Sequence, residues 1–209
     1  HGGAVYPSGV TNFAYDARRS VAADSKVLIG IAAARLIPDN SSVILNIGTT
    51  TEQVATALRR HQGLMVITNN INVANILRDA PSAEVVIAGG LVRHSDGGIM
   101  GEATVDFIRQ FKVDFAVIGA SAIYRDGSIL DYDFREVKVS QAIIAQARKT
   151  ILVSDSLKFE RTAPVRIADL SMIDVFVTEV EPPREIVDYC RAHDVELIIA
   201  GPMAAEQAA

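Results

Sequence analysis

The sequence predicts an α/β fold, a mostly parallel sheet with helices on both faces. Three observations carry this. Short apolar runs rich in β-branched residues, such as 43–47 and 113–118, have the length of buried strands. Between them lie segments with apolar residues at helical spacing, and strands that alternate with helices imply parallel neighbours joined by crossovers. Several strand runs end in polar loops, which is where open parallel sheets bind ligands.

The chain's 209 residues suffice for one large α/β domain or two small ones, and 49% hydrophobic content argues against disorder. A net charge of −5 argues against this segment itself gripping DNA or an anionic membrane, which needs a basic face. One cysteine, Cys190, excludes an internal disulfide framework and a cysteine-based zinc site, and it reads as a small buried residue on a late helix. His1, His61, His94 and His193 show no metal-ligand spacing, so neither metal nor cofactor is expected. No apolar run approaches a membrane span and no signal pattern opens the chain, so a soluble cytoplasmic protein is expected.

Taken in order, residues 1–14 read as a linker, with glycine and proline near the start. The opening His1 in place of methionine predicts a natural start further upstream. A long helix is predicted over 15–37, with Ala17, Val21, Leu28, Ile31 and Leu36 in its stripe, ended by Pro38. A strand over 43–47 follows, then Gly48 and the hydroxyl run Thr49-Thr50-Thr51 at a helix start. Free N–H groups and the helix dipole make such a start a phosphate cradle, and an ordinary capped turn is the other reading.

Further strands are predicted over 64–68, 84–88, 113–118, 150–154, 173–178 and 196–200, and helices over 72–78, 104–110, 135–148 and 183–192. Residues 91–101, with Arg93 and Asp96, form an irregular loop of the kind that often carries function. The stretch 124–134 is a polar section with a turn at Asp126-Gly127. Residues 15–202 make up the domain, and 203–209 a disordered tail.

Five strand-end loops can converge on one crevice: 48–51, 68–70, 89–90, 119–121 and 154–158. Lys158 is either a point charge for a phosphate or a solvated loop lysine. Asp131, Asp133 and Glu136 can hold polyol hydroxyls, supply a general base, or simply favour a helix start. Asn69 and Asn70 suit a polyol and also suit a turn. No Gly-x-Ser-x-Gly or Walker-type pattern supports acyl transfer or nucleotide hydrolysis.

Several runs together resemble the effector-sensing domain of DeoR-family bacterial transcription regulators. They are Asn46-Ile47-Gly48-Thr49-Thr50-Thr51-Glu52, Thr68-Asn69-Asn70, Ile87-Ala88-Gly89-Gly90, Ala120-Ser121-Ala122-Ile123, Arg135-Glu136-Val137-Lys138 and Ser154-Asp155-Ser156-Leu157-Lys158-Phe159. His1-Gly2-Gly3-Ala4 resembles the end of the wing in that family's winged helix-turn-helix. Leu130-Asp131-Tyr132-Asp133-Phe134-Arg135-Glu136-Val137 resembles the glycerol-3-phosphate regulon repressor branch. The resemblance implies a fold like that of ribose-5-phosphate isomerase, glucosamine-6-phosphate deaminase and CoA transferases. It implies a homo-oligomer and a phosphorylated sugar or polyol as effector. Operator DNA would be bound through an N-terminal domain ahead of His1, and a repressor is the expected sign. Carried over, Gly48, Thr49, Thr50, Thr51 and Lys158 would hold the phosphate. Asn69, Asp131 and Glu136 would face the hydroxyl end, with Gly89, Gly90 and Gly119 giving the ligand access to the backbone.

The rival is a sugar-phosphate isomerase, because 135–138 and 155–158 also resemble that enzyme's segments, with Glu136 at its general base. The isomerase's Asp-Gly-Ala-Asp motif is replaced by Ile118-Gly119-Ala120-Ser121, so both of its acids are absent. A pocket with phosphate-binding parts but without acid/base partners holds a ligand better than it converts one. The expectation is a sensor, not an enzyme.

Overall fold

The structure, a computed structural model, describes residues 15–201. The linker expected over 1–14 and the tail over 203–209 lie outside the described residues. In chain order the elements are α1 (Tyr15–Ser20), α2 (Ala23–Ala34), β1 (Ser42–Leu45), α3 (Thr49–Leu58), β2 (Leu64–Thr68), α4 (Ile71–Leu77) and β3 (Ala83–Ile87). Next come β4 (Leu91–Val92), β5 (Ile99–Met100), α5 (Glu102–Ile108), β6 (Val113–Ile118), β7 (Ala122–Ile123), β8 (Ser128–Asp131), α6 (Phe134–Gln146) and β9 (Ala147–Val153). The chain closes with β10 (Val165–Asp169), β11 (Val175–Thr178), α7 (Arg184–Ala192) and β12 (Glu196–Ile199).

Seven strands form one sheet in the order β12-β11-β9-β6-β1-β2-β3, with every pairing parallel. Each long strand feeds two cores, because successive side chains point to opposite faces. Val43, Leu45, Val117, Ile151 and Val177 pack with Ile29, Val54, Leu58 and Val73 of α2, α3 and α4. Ile44, Ala116, Ile118, Leu152 and Phe176 pack with Ile108, Val139, Ile143 and Cys190 of α5, α6 and α7. The sheet covered on both faces is the expected architecture. Cys190 is buried as expected, and burial pushes its thiol up to about 11.

The topology selects one place for a site. From β1 the chain steps outward through β2 and β3, then returns to β6 on the other side of β1 and proceeds through β9, β11 and β12. The direction therefore reverses between β1 and β6, and the loops leaving their carboxyl ends diverge to open a crevice.

Three departures from the sequence reading matter. The helix expected over 15–37 breaks at Ala22, which adopts a left-handed φ of 53°. Lys26 Nζ donates to the carbonyls of Arg18 and Val21, which satisfies acceptors exposed near the break. Residues 122–123, part of the polar section 124–134 and residues 165–169 of the later polar loop form an antiparallel sheet, β10-β8-β7, where only loops were expected. All four residues of β8 are buried, so it shows no alternation to read. The segment 91–101 carries a short hairpin, β4 with β5.

Candidate functional site

The crevice begins at the turn between β1 and α3. Gly48 has φ 148° and ψ 148°, a conformation nearly confined to glycine, and a Cβ there would stand 3.3 Å from Thr51 Oγ1. No threonine caps α3 through its side chain, contrary to the sequence reading, and Gly48 is the N-cap residue. The Thr51 hydroxyl turns back onto the strand end, 2.8 Å from the Asn46 carbonyl and 2.7 Å from the Gly48 carbonyl. The first helical bond runs from Glu52 N–H to the Gly48 carbonyl at 3.0 Å. The N–H groups of Thr49, Thr50 and Thr51 precede it and lack intrahelical acceptors. Among the described residues, the Thr49 and Thr50 hydroxyls make no hydrogen bond.

Opposite this turn stands Lys158, in a 3-10 turn (Ser156–Phe159) after β9. Glu179 fixes that turn by accepting from Ser156 N–H at 3.1 Å and Ser156 Oγ at 2.7 Å. Lys158 Nζ makes no hydrogen bond among the described residues. Burial pushes its pKa down to about 8; Arg161, Lys26 and Arg18 act in the same direction and the Asp155 carboxylate opposes them.

The other end of the crevice is anionic. Asp131, at the end of β8, accepts from Ser121 Oγ at 3.0 Å and from Tyr132 N–H at 2.6 Å. Glu136, in the first turn of α6, pairs with Arg93 Nη1 at 2.8 Å. Arg93 also grips Asp96 through Nε at 2.8 Å and Nη2 at 2.6 Å. Asp96 accepts from Arg18 Nη2 as well, at 3.0 Å. Burial raises the pKa of Asp131. It raises that of Glu136 too, where the neighbouring Asp131 charge adds to the effect and Arg93 opposes it. Burial also works against the charge of Asp96, but its hydrogen bonds from Arg93 prevail and hold its pKa low. Asp133 caps α6 by accepting from Arg135 N–H at 2.9 Å, and it also pairs with Arg93 Nη1 at 3.6 Å and lines the outer lobe.

These groups line two adjoining lobes. The inner lobe, of about 30 Å³, is walled by Gly48, Thr49, Thr50, Thr51, Gly119, Ala120, Ser121 and Lys158. That volume holds roughly two waters. The outer lobe, of about 400 Å³, is walled by Tyr15, Arg93, Ser95, Asp96 and Tyr132. Arg18, Asp131 and Glu136 belong to both. A larger hollow of about 730 Å³ lies between α5 and α6, lined by Val105, Phe134, Lys138 and Ala142 among others. It is mostly apolar and includes neither the Gly48 turn nor Lys158.

Eight of the residues predicted for the site therefore line one cleft: Gly48, Thr49, Thr50, Thr51, Gly119, Asp131, Glu136 and Lys158. Asn69, Gly89 and Gly90 are not among the lining residues. Asn69 is buried, and its amide donates to the Ile99 carbonyl at 3.2 Å, bracing β5. Thr104 Oγ1 donates to the Gly89 carbonyl at 2.9 Å, and a Cβ on Gly90 would collide with that hydroxyl. Gly90 lets its loop pack on the start of α5. Sequence reasoning missed Arg18, Arg93 and Asp96 as cleft residues, while Ser121 belongs to the 119–121 loop expected at the crevice. The 91–101 loop was marked as a candidate, but Arg93 had no named partner. Arg18 carried no signal, because only the fold brings α1 to the cleft. Among the described residues no cluster of His, Cys, Asp or Glu is arranged to hold a metal, and no helix is long and apolar enough to cross a membrane.

Fold and cleft together define an α/β ligand-binding domain whose site lies at the switch point of a parallel sheet. Residues 21–180 match the model of the DeoR C terminal sensor domain, and the chain belongs to that family. It is thus a sensor domain of the kind carried by DeoR-type regulators. It is 46% identical over 199 residues to a glycerol-3-phosphate regulon repressor from Haemophilus influenzae, covering 95% of this chain and 77% of that protein. The repressor of the same name from Escherichia coli is 42% identical over 197 residues, with 94% and 78% covered. The HTH-type transcriptional repressor CsqR of Escherichia coli is 35% identical over 199 residues, with 95% and 76% covered. Among solved structures, eIF2B beta from Chaetomium thermophilum superposes with a TM-score of 0.54 at 16% identity, over 74% of this chain and 48% of that one. Ribose 5 phosphate isomerase A from Neisseria gonorrhoeae superposes with a TM-score of 0.48 at 11% identity, over 65% and 53%. The chain spans about half the length of these two structures, and the likeness carries no argument about chemistry.

Proposed function

We propose that this domain senses a phosphorylated polyol or sugar, with glycerol 3-phosphate the leading candidate, and reports it to operator DNA through a separate N-terminal domain. The observation that carries the reading is Lys158, a cation without a hydrogen bond, facing the free N–H groups and hydroxyls of the Gly48 turn. A dianionic phosphate completes both sides at once, since helix starts and buried ammonium groups each favour anions. Asp131, Glu136 and Ser121 form the hydroxyl end. The names of the two glycerol-3-phosphate regulon repressors described above support glycerol 3-phosphate.

Ligand binding orders the loops around Gly48 and Lys158. In this reading the regulator is a cytoplasmic homo-oligomer, and the effector changes how two subunits pack. The exposed Ile87, Leu91 and Val92 support a further contact surface. The DNA-binding domains then shift through the segment that begins at Tyr15. The effector releases the operator only to the extent that it binds the released arrangement more tightly.

One observation favours a second reading, isomerisation of a sugar phosphate: Glu136 is a buried carboxylate with a raised pKa, the form a general base takes. Its ion pair with Arg93, and Gly119-Ala120-Ser121 where the isomerase carries acids, favour binding without turnover. Calorimetry with glycerol 3-phosphate, ribose 5-phosphate, glycerol and ribose, with isomerisation assayed in the same samples, decides between them. The expected result is binding of a phosphorylated ligand only, without turnover. Equal affinity for the unphosphorylated forms would overturn the phosphate site, and clear turnover would overturn the sensor.

A further inference from the structure

The first helix has an unusual place in this domain. No residue of α1 is buried, so it is not anchored by a hydrophobic face. Ala22 separates it from α2 with a left-handed backbone. What holds it is polar: Tyr15 OH donates to Glu52 Oε2 at 2.9 Å, Asn72 Nδ2 donates to Tyr15 OH at 2.9 Å, and Arg18 Nη2 donates to Asp96 at 3.0 Å.

Arg18 does more than tie α1 down. Its side chain is 16% exposed and lines both lobes of the cleft. Asp96 is already held by two bonds from Arg93, so Arg18 brings a second guanidinium to one carboxylate. Arg18 Nε is buried and has no hydrogen-bond partner among the described residues. Leaving a buried donor unmatched is costly, and a guanidinium offers neighbouring donors in a fork that fits phosphate oxygens. The inner lobe onto which this side chain opens is the one closed by the Gly48 turn and Lys158.

We propose that Arg18 is a phosphate-binding residue of this site, which deepens the phosphate-sensor reading and rests on it. Nη2 stays on Asp96 while Nε turns to a phosphate oxygen held between the Gly48 turn and Lys158. The ligand then bridges α1 to the body of the domain. Occupancy is reported by how firmly α1 is docked, because the other bonds holding that helix do not involve the ligand.

The test is calorimetry with glycerol 3-phosphate on the unmodified chain and on Arg18→Gln, Arg18→Lys, Asn72→Ala and Lys158→Ala, with amide hydrogen exchange followed in α1. Loss of a charge-assisted bond predicts about 10- to 100-fold weaker binding for Arg18→Gln. Arg18→Lys keeps the charge without the fork and loses less. Asn72→Ala removes the bonds to Tyr15 and the Asp96 carbonyl without removing a cleft-lining side chain, and changes affinity by no more than about threefold. Ligand slows exchange in α1 of the unmodified chain and not of Arg18→Gln. Full affinity in Arg18→Gln beside weak binding in Lys158→Ala would overturn the role of Arg18 and leave the phosphate site standing. Full affinity in both would overturn the site itself. Equal losses in Arg18→Gln and Asn72→Ala would reduce Arg18 to a tether.

Discussion

At the Gly48 end of the cleft, most hydrogen-bond donors except the Thr51 hydroxyl have no acceptors; at the Glu136 end, nearly every charge has a partner. Lys158, the Thr49 and Thr50 hydroxyls and the first N–H groups of α3 face one another across the inner lobe. Asp131, Glu136, Arg93 and Asp96 are joined by bonds and ion pairs of 2.6–3.0 Å to one another or to Ser121. The difference teaches how the two ends divide the work. The unmatched end gains most from a ligand and supplies affinity. The matched end trades existing bonds for new ones, so its net gain is small and it serves selection between hydroxyl patterns.

The largest test of this contrast is Lys158→Ala, which removes one partner of a buried charge pair once ligand is bound. Affinity for the phosphorylated ligand should fall by about 2–4 kcal/mol, with little change for its unphosphorylated form. Without ligand the sign reverses. The folded-state pKa of Lys158 lies near 8, below the ordinary 10.5, so the unfolded chain holds that proton more tightly. Stability of the free domain should rise as pH climbs from about 8 to 10.5. Lys158→Met should abolish a rise on the order of 3 kcal/mol and be more stable at neutral pH, as urea unfolding across pH would record.

Next in size is Gly48→Ala, which forces a side chain into a conformation suited to glycine. It should cost about 1–3 kcal/mol in thermal or urea unfolding and weaken phosphate binding too. At the matched end, Glu136→Gln tests the raised pKa. A folded-state pKa above the ordinary 4.5 contributes stability that is present below 4.5 and lost as pH rises through the raised value. Glu136→Gln should flatten that decline in a pH series of melting temperatures. If the slope is unchanged, Glu136 is not the group that titrates.

The smallest effects separate two adjacent threonines. The Thr50 hydroxyl has no protein partner, so Thr50→Val should leave stability alone and weaken phosphorylated ligands by roughly 1 kcal/mol. The Thr51 hydroxyl is spent on the Asn46 and Gly48 carbonyls, so Thr51→Val should lose roughly 1 kcal/mol of stability first. Identical behaviour of the two variants in paired unfolding and calorimetry runs would erase that distinction.

The same contrast explains what could be read from the sequence. Val43-Ile44-Leu45 and Val175-Phe176-Val177 announced buried strands because both of their faces feed cores. Gly48 with Thr49-Thr50-Thr51 announced a strand-to-helix turn because its chemistry is local. Partners distant in the chain were not legible. Arg18 meets Asp96 across 78 positions, and nothing near Arg18 marks it. Ala22 gave no warning of a break, since alanine is the residue a helix favours most. β8 and β10 went unread because Ser128, Asp131, Arg166 and Asp169 interrupt their apolar residues and their pairing joins segments distant in the chain. Asn69 and Gly90 stand outside the cleft lining: the Asn69 amide meets the Ile99 carbonyl while its Oδ1 is buried without a partner, and Gly90 leaves room for Thr104.

The strand order has one last consequence, which is metric. The Gly48 turn follows β1 and the Lys158 turn follows β9, with β6 alone between them. Adjacent strands lie about 4.8 Å apart, so the two turns spring from rows roughly 10 Å apart. The strand order thus sets where the two sides of the site begin, and the flexible four-carbon stem of Lys158 sets how closely they approach.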